Sequence, residues 1–539
     1  MKSIKRWRAA ACILPVLGAL AASPALSAQD SLIDRNRPDR APPQSAPEAA
    51  RPETSEAVVA AFQPFVLKGV AIDGSSLPAD ALREAVRPFI GQTLDVEGVS
   101  RLRAALASAY EGSPFALPLI AIDARDATQG VLRVTAAEGA VTQVAITGET
   151  EGDMNLLRHY GAALTTERPL SRATAERYLS LITDIPGLKT AVTATPTGRP
   201  GEVALGLAID QSRWEYAYGV DNRGSSSQGR TQLIASATLN GGFRQGDQSR
   251  VTLIVPTDPE RFQYVSASHR QPLGYDGAAV SVSAGHLRTK TPEGLEGEAT
   301  TGGLLVSWPM IRSYRTNLTL SGGLDGINSD QAVVADLVST ERTRVLRASA
   351  AYSKATPRMV LAASGTLSRG LDTLGARTAI PQIVDLDFTK VNLRASVSRA
   401  VGQTVRLSLA ASGQWSDDFA PTSELFTLGG SEFGRGFPRA LLVGDSGWGA
   451  RAEAAWRPAA LPTPVRGTEV YAFTDGGTAY INGRLGQPDR DTSLASAGLG
   501  ARIALGGRLV VEVEGARALK DPRPGGDDWR MGFAVSGRF

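Results

Sequence analysis

The chain has 539 residues, a formal net charge of +3 and one cysteine. That length exceeds what one ordinary core holds, so several domains are expected. No run of about 18 apolar residues follows the N-terminus, which excludes a transmembrane helix. Cys12 alone supports neither a disulfide framework nor a thiolate metal site, and His159, His269 and His286 are scattered without metal-ligand spacing, so no metal and no cofactor are expected.

Residues 1–28 read as a secretory signal peptide. Lys2, Lys5, Arg6 and Arg8 precede an apolar run over 9–22, and small residues close the segment by Ala28. The run is about 14 residues, too short to span a bilayer, and Pro15 interrupts it. Cys12 lies inside the run and not after it, which argues against a lipoprotein. These four basic residues are unopposed by acids, so their removal takes +3 to −1. The basic balance is therefore no argument for nucleic acid. Residues 29–60 are rich in Pro, Arg, Asp and Ala and too polar to offset ordering entropy. They read as an extended linker with room for a short N-terminal helix.

Residues 61–140 and 141–210 repeat one order of elements, β-α-α-β-β. In the first unit a strand over 65–72 precedes helices near 79–89 and 96–110 and strands at 117–122 and 131–136. Leu82, Val86 and Ile90, then Val99, Leu102, Leu106 and Tyr110, supply the helical spacing. The second unit repeats this with a strand at 141–146, helices at 153–161 and 171–182, and strands at 190–196 and 202–209. Two tandem α+β domains follow. Each packs a helix pair on one sheet face and leaves a sheet edge able to accept an extended strand from another chain.

From 211 to 539 the period changes to two. Leu346, Ala348, Ala350 and Tyr352 alternate with Arg347, Ser349 and Ser353, and Val391, Leu393, Ala395 and Val397 alternate with Asn392, Arg394, Ser396 and Ser398. About sixteen such segments fit, an even number that leaves no edge if closed. The fold expected is an all-β transmembrane barrel of about 16 antiparallel strands, apolar toward lipid and charged toward a wet lumen. Glu512, Glu514 and Arg517 are read as lumen lining. The last strand alternates Trp529, Met531, Phe533, Val535 and Phe539 with polar residues. Phe533, Val535 and the terminal Phe539 resemble the sorting signal of bacterial outer-membrane barrels.

Between the eleventh and twelfth strands lies a long glycine-rich loop. It carries Gly434, Arg435, Gly436 and Phe437, and a turn at Gly444, Asp445 and Gly447 follows. Five strands remain after it, near 447–457, 467–475, 493–504, 507–517 and 529–539. With these features the chain resembles the two-partner secretion transporters of Gram-negative outer membranes, and the small domains resemble POTRA domains. Three local matches carry the resemblance: Tyr110 to Ala116 with Gly130 to Gly139, Asp184 to Leu188, and the loop from Gly429 to Phe437.

The resemblance implies that the loop folds back into the barrel. Its arginine would pair with an aspartate in an F-x-D-x-G motif, here Phe473, Asp475 and Gly477 on the thirteenth strand. Parity puts Tyr471, Phe473 and Asp475 on one face, the lumen side if Val470, Ala472 and Thr474 face lipid. A planar guanidinium suits a carboxylate partner because its fork makes two hydrogen bonds. Gly434 departs from the Val or Ile usual in the family. The resemblance further implies a monomeric pore, set in outer-membrane lipid by the barrel-assembly machinery, with its POTRA domains in the periplasm. Its partner would be a secreted exoprotein, a large β-helical adhesin or haemolysin, exported unfolded without ATP and in some cases activated. No catalytic motif is present, so an enzyme is not expected. Two other readings stay open. An insertase for other barrels would usually carry more POTRA domains, and a passive porin would lack both the repeats and the loop.

Overall fold

The computed structural model describes residues 62–539 together with Glu53 and Thr54, apart from 124–126, 151–153, 200, 225–228, 293, 334–335, 485, 524 and 526–528. The expected signal peptide (1–28) and nearly all of the expected linker (29–60) lie outside the described residues.

The first α+β unit runs β1 (Gly69–Asp73), α1 (Ala79–Val86), α2 (Val96–Ala109), β2 (Pro118–Asp123) and β3 (Val131–Glu138). Its sheet has the order β1-β3-β2, with β1 parallel and β2 antiparallel to β3. Helix α2 starts where Asp95 accepts a hydrogen bond from the Gly98 N–H at 2.8 Å, which satisfies one orphan donor of the first turn. The faces set by Leu82, Leu102 and Leu106 meet Leu67, Leu132 and Val134 of the sheet side in one core. The strand expected over 65–72 is split. Phe65–Val66 pairs instead with Thr93–Leu94, and only the part from Gly69 joins the sheet.

The second unit follows with one residue between: β4 (Ala140–Glu149), α3 (Asn155–Ala163), α4 (Arg172–Thr183), β5 (Leu188–Pro196) and β6 (Glu202–Gln211). Its sheet order is β5-β6-β4, and Glu53–Thr54 lies parallel along the outer edge of β5. Ser171 caps α4 through the Thr174 N–H at 3.2 Å. Glu167 braces that cap by accepting from the Ser171 N–H and the Thr174 hydroxyl, and these bonds hold its carboxyl below the usual range.

The two units are bolted together. Arg172 of α4 donates to the carbonyls of Tyr110, Ser113 and Phe115 at 2.9, 2.9 and 3.2 Å. The Tyr110 hydroxyl lies 2.7 Å from the Ser75 hydroxyl and 3.3 Å from Glu138, and burial pushes its phenol up, with the Glu138 charge adding to the shift. The conspicuous stretch from Tyr110 to Ala116 is therefore a joint between the domains.

Sixteen long strands close the barrel among the described residues. They are β7 (Trp214–Asp221), β8 (Gln232–Asn240), β9 (Gln248–Pro256), β10 (Phe262–Pro272), β11 (Ala279–Lys290), β12 (Leu295–Arg312), β13 (Thr316–Val333) and β14 (Asp336–Thr356), then β15 (Met359–Gly370), β16 (Thr389–Val401), β17 (Val405–Trp415), β18 (Ser446–Trp456), β19 (Glu469–Ile481), β20 (Arg490–Leu505), β21 (Leu509–Lys520) and β22 (Trp529–Arg538). Each pairs antiparallel with its neighbour, and β22 returns to β7, so no edge is left. Among the described residues no helix is long and apolar enough to cross a membrane. The apolar set faces outward, as at Leu407, Leu409, Trp415, Trp448, Trp456 and Val470, all well exposed. Tyr471, Phe473 and Asp475 are buried on the lumen side, as parity predicts. Arg517, expected in the lumen with Glu512 and Glu514, faces outward instead. It is three residues from Glu514, and the pleat sends odd spacings to opposite faces. Phe533 and Phe539 point outward from the closing strand, and Phe539 stacks on Tyr218 of β7 at 5.6 Å.

The second α+β unit docks on one rim of the barrel, the rim opposite the loop after β17. Asp184, just after α4, holds Arg312 at the end of β12 through two hydrogen bonds of 2.7 Å. Gln245, in the turn after β8, accepts from the Leu156 and Leu157 N–H groups and so caps α3 from the barrel side. His159 stacks on Tyr275 at 4.0 Å, and Arg177 reaches the carbonyls of Asp276 and Pro309. The stretch Asp184 to Leu188 is thus a joint too, between the second unit and the barrel.

Candidate functional site: a charged loop inside the barrel

The loop from 416 to 445 leaves β17 at the outer rim and turns inward. A short ribbon, Phe426–Leu428 against Leu442–Gly444, carries its tip down the wall. The tip meets β19 at Asp475, six residues below the end of that strand at Ile481, or about 20 Å along it. The ribbon and tip bring their own small core. Phe426, Leu428, Phe433 and Phe437 pack with Ala479 and Leu494 of the wall. The wall makes room with glycine: a Cβ at Gly447 or Gly449 would stand 2.2 Å from the Phe426 ring or 2.7 Å from the Phe433 ring.

Arg435 is buried and meets three strands. Its Nη1 lies 2.8 Å from Glu514 on β21 and its Nη2 lies 3.1 Å from Glu453 on β18. Its guanidinium carbon stands 4.3 Å from the Phe473 ring centroid. Asp475, the partner expected for the guanidinium, is reached by the Arg435 backbone N–H at 3.1 Å. Ser496 also donates to Asp475, and the Gly436 N–H donates to Ser496 at 3.1 Å. Asp475 thus holds the loop backbone, while the side chain extends past it to the two glutamates. The fork that suits one carboxylate here divides between two.

Gly434 has φ +93°, and a Cβ there would lie 2.7 Å from Leu494 Cδ1 and 3.2 Å from Gly429 Cα. A β-branched residue fits neither the backbone angle nor the space. Gly434→Val is expected to cost the folded loop on the order of 3 kcal/mol. Trypsin added outside intact cells should then cut within the loop in the variant and not in the wild type. Equal resistance in both would remove the argument.

The turn residues serve the loop's return. Asp445 is fully buried and accepts from the N–H groups of Ala420 and Asn482 at 2.9 and 3.0 Å, and from Arg484. Gly444 leaves no room for a Cβ against the Tyr480 carbonyl, and Gly477 packs equally closely on the Trp448 carbonyl.

Sequence reasoning misses the roles of Glu453 and Glu514 as partners of Arg435. Both stand at lumen parity, and nothing local distinguishes them from other lining charges. Arg502 knits Glu453 into the wall, donating to both its oxygens at 2.7 and 3.0 Å, to Glu469 at 3.0 Å and to Glu512 at 3.3 Å. A second cluster escapes the sequence as well. Glu424 lies fully buried against Lys390 of β16 and Arg347 of β14.

Fold and site together define a class: a sixteen-strand outer-membrane barrel with two periplasmic α+β domains and a long surface loop folded into its lumen. The family model of the haemolysin secretion/activation proteins ShlB/FhaC/HecB matches residues 204–503, more than half of the chain, and the chain belongs to that family. It is 24% identical over 446 residues to the outer membrane transporter CdiB of Escherichia coli, covering 79% of this chain and 74% of that protein. It is 25% identical over 410 residues to the hemolysin transporter protein ShlB of Serratia marcescens, covering 73% and 72%. The solved structure of CdiB from Escherichia coli superposes with a TM-score of 0.66 at 21% identity, covering 92% of this chain and 94% of that one. The protein is a two-partner secretion transporter of the Gram-negative outer membrane.

Proposed function

We propose that the protein captures one exported exoprotein, or a few, as an unfolded chain in the periplasm and passes it outward through the barrel. On this reading 61–140 and 141–210 are the receiving POTRA domains, 211–539 is the pore, and 1–28 directs the chain out of the cytoplasm. The observation that carries the reading is the sheet edge of the second domain. Glu53–Thr54 already lies along β5 in parallel register, so an edge of this kind accepts an extended segment. In the first domain the outer edge of β2 pairs with no strand among the described residues.

Transport then requires the loop tip to leave its place on the wall, with Arg435, Gly436 and Phe437 as the part that moves and Asp475 as its seat. Folding of the cargo outside supplies the drive, and the reading assigns no hydrolytic residue. Closure of β22 on β7 within one chain supports a monomeric pore. The name of the Serratia marcescens relative, a hemolysin transporter, points to a haemolysin as cargo. An insertase reading has less support, because the family match falls on secretion proteins.

A photo-crosslinking amino acid at Ala121, exposed on β2, tests the receptor role. The same group at Arg101, exposed on α2, serves as control. Adducts with the exported chain are expected from Ala121 and not from Arg101. Equal yields, or adducts with nascent outer-membrane barrels alone, would count against edge capture.

A further inference from the structure

The loop has two charged anchors, one on β14 and β16 and one on β18 and β21, and they differ in what each leaves behind on release. We propose that the loop hinges about Glu424: the tip at 429–441 departs for transport while 416–424 stays fixed to the wall. The proposal rests on the reading above that the tip must move.

The base anchor is dry. Glu424 is 0% exposed and so is Lys390, whose Nζ lies 2.8 Å from Glu424 Oε2. Arg347 Nη2 lies 3.0 and 3.2 Å from the two Glu424 oxygens, while its Nε holds Asp325 at 2.6 Å and its Nη1 donates to Ser368 at 2.8 Å. The Glu424 carbonyl accepts from Gln414 at 2.8 Å. Around it the base is stitched down. The Asp385 N–H donates to the Phe419 carbonyl at 2.8 Å, the Phe419 N–H donates back to the Asp385 carboxylate at 2.8 Å, and the Thr422 N–H donates to Glu341 at 3.1 Å. Withdrawing Glu424 would take the carboxylate from a fully buried ammonium and from a buried guanidinium that it shares with Asp325. Arg347 would keep Asp325 and Lys390 would keep Gln414 Oε1 at 3.4 Å, but loss of an opposite charge from so dry a place is costly.

The tip anchor is built the other way. If Arg435 withdraws, Glu453 keeps both hydrogen bonds from Arg502. Glu514 keeps a share of the Tyr471 hydroxyl at 2.9 Å, whose one proton also faces Glu512 at 2.7 Å, and Asp475 keeps Ser496. Glu453 and Asp475 stay bonded, and the freed guanidinium passes into water. On the tip's other side Glu432 and Arg394, at 2.7 Å, retain some exposure and hydrate readily. The base is thus the drier anchor and is tied down by its own backbone, while release of the tip leaves Glu453 paired with Arg502. Glu424 is a positioning residue: it fixes the pivot, and hence the arc, of the moving tip.

Hydrogen–deuterium exchange of the full chain in lipid nanodiscs reads both segments at once. A Gly436→Cys/Ser496→Cys variant supplies a reducible tether, since a Cβ at Gly436 would stand 2.9 Å from Ser496 Cβ. In the wild type and the reduced variant, amides of 429–441 are expected to exchange at least about tenfold faster than those of 416–424. Oxidation should slow the tip to the rate of the base. Joint fast exchange of both segments would mean that the loop leaves as one piece; the hinge then falls and the moving tip stands. A wild-type tip as protected as the barrel strands would overturn the moving tip, and the hinge with it.

Discussion

Arg435→Ala is expected to free the loop tip without unfolding the barrel. The side chain joins β18 and β21 to the loop, and truncation removes both ion pairs at once. Breaking a buried pair costs about 3–5 kcal/mol when the remaining charge is stranded. Here Glu453 retains Arg502 and Glu514 retains a share of the Tyr471 hydroxyl, so a loss of about 2–3 kcal/mol is expected, or roughly 30- to 150-fold in the ratio of seated to released tip. Phe433 and Phe437 still pack on Leu494, which keeps the loop from becoming a random chain. The variant should show larger and more frequent KCl currents in planar bilayers and faster exchange across 429–441. Arg435→Lys should fall between, because one ammonium does not span two carboxylates held by separate nitrogens. Currents and exchange like those of the wild type in Arg435→Ala would show that packing alone seats the tip.

Arg312→Ala is expected to loosen the second periplasmic domain from the barrel. Arg312 is buried, with both hydrogen bonds to Asp184 at 2.7 Å, and it also donates to Asn317 and the Ser313 carbonyl at 2.9 and 3.0 Å. Its removal strands a partly exposed aspartate, which water rescues, so a cost of about 2–4 kcal/mol is expected at the joint. Asp184→Asn keeps the shape but strands the buried cation, and it should loosen the joint at least as much. Spin labels at Arg101 and Phe243 report the result, since Arg101 is exposed on α2 and Phe243 is 78% exposed in the turn after β8. The distance distribution should broaden in both variants. A distribution as narrow as that of the wild type would mean that Gln245 and the His159–Tyr275 stack hold the domain unaided. Since the exported chain must pass from the periplasmic domains to the lumen, a loosened joint should also lower secretion.

The motif stretches divide by what they touch. Tyr110 to Ala116 and Asp184 to Leu188 carry the family resemblance, yet both work as joints that fix the domains in line with the pore. The loop stretch alone enters the lumen. A resemblance to the family does not by itself separate a hinge pin from a contact with cargo.

The sequence by itself determined the class of fold, the place of the loop and the face on which Asp475 lies. Alternation has a period of two residues and each β-α-α-β-β unit is built from local signals, so short windows carry them. Counting strands then puts the loop between β17 and β18, and parity turns Asp475 inward. Parity applied strictly would also have placed Arg517 outside, three residues from Glu514. Only the tertiary structure decided which charges meet. Arg435 and Glu514 are 79 residues apart, and Arg347 and Glu424 are 77. Those pairs exist because the closed barrel sets non-adjacent strands around one lumen and the ribbon delivers the tip to a particular depth. The same closure explains why Asp475 takes the loop backbone and leaves the guanidinium to Glu453 and Glu514. A planar side chain reaching beyond its own backbone selects acceptors by position in space, and residue-by-residue patterning holds no record of that position.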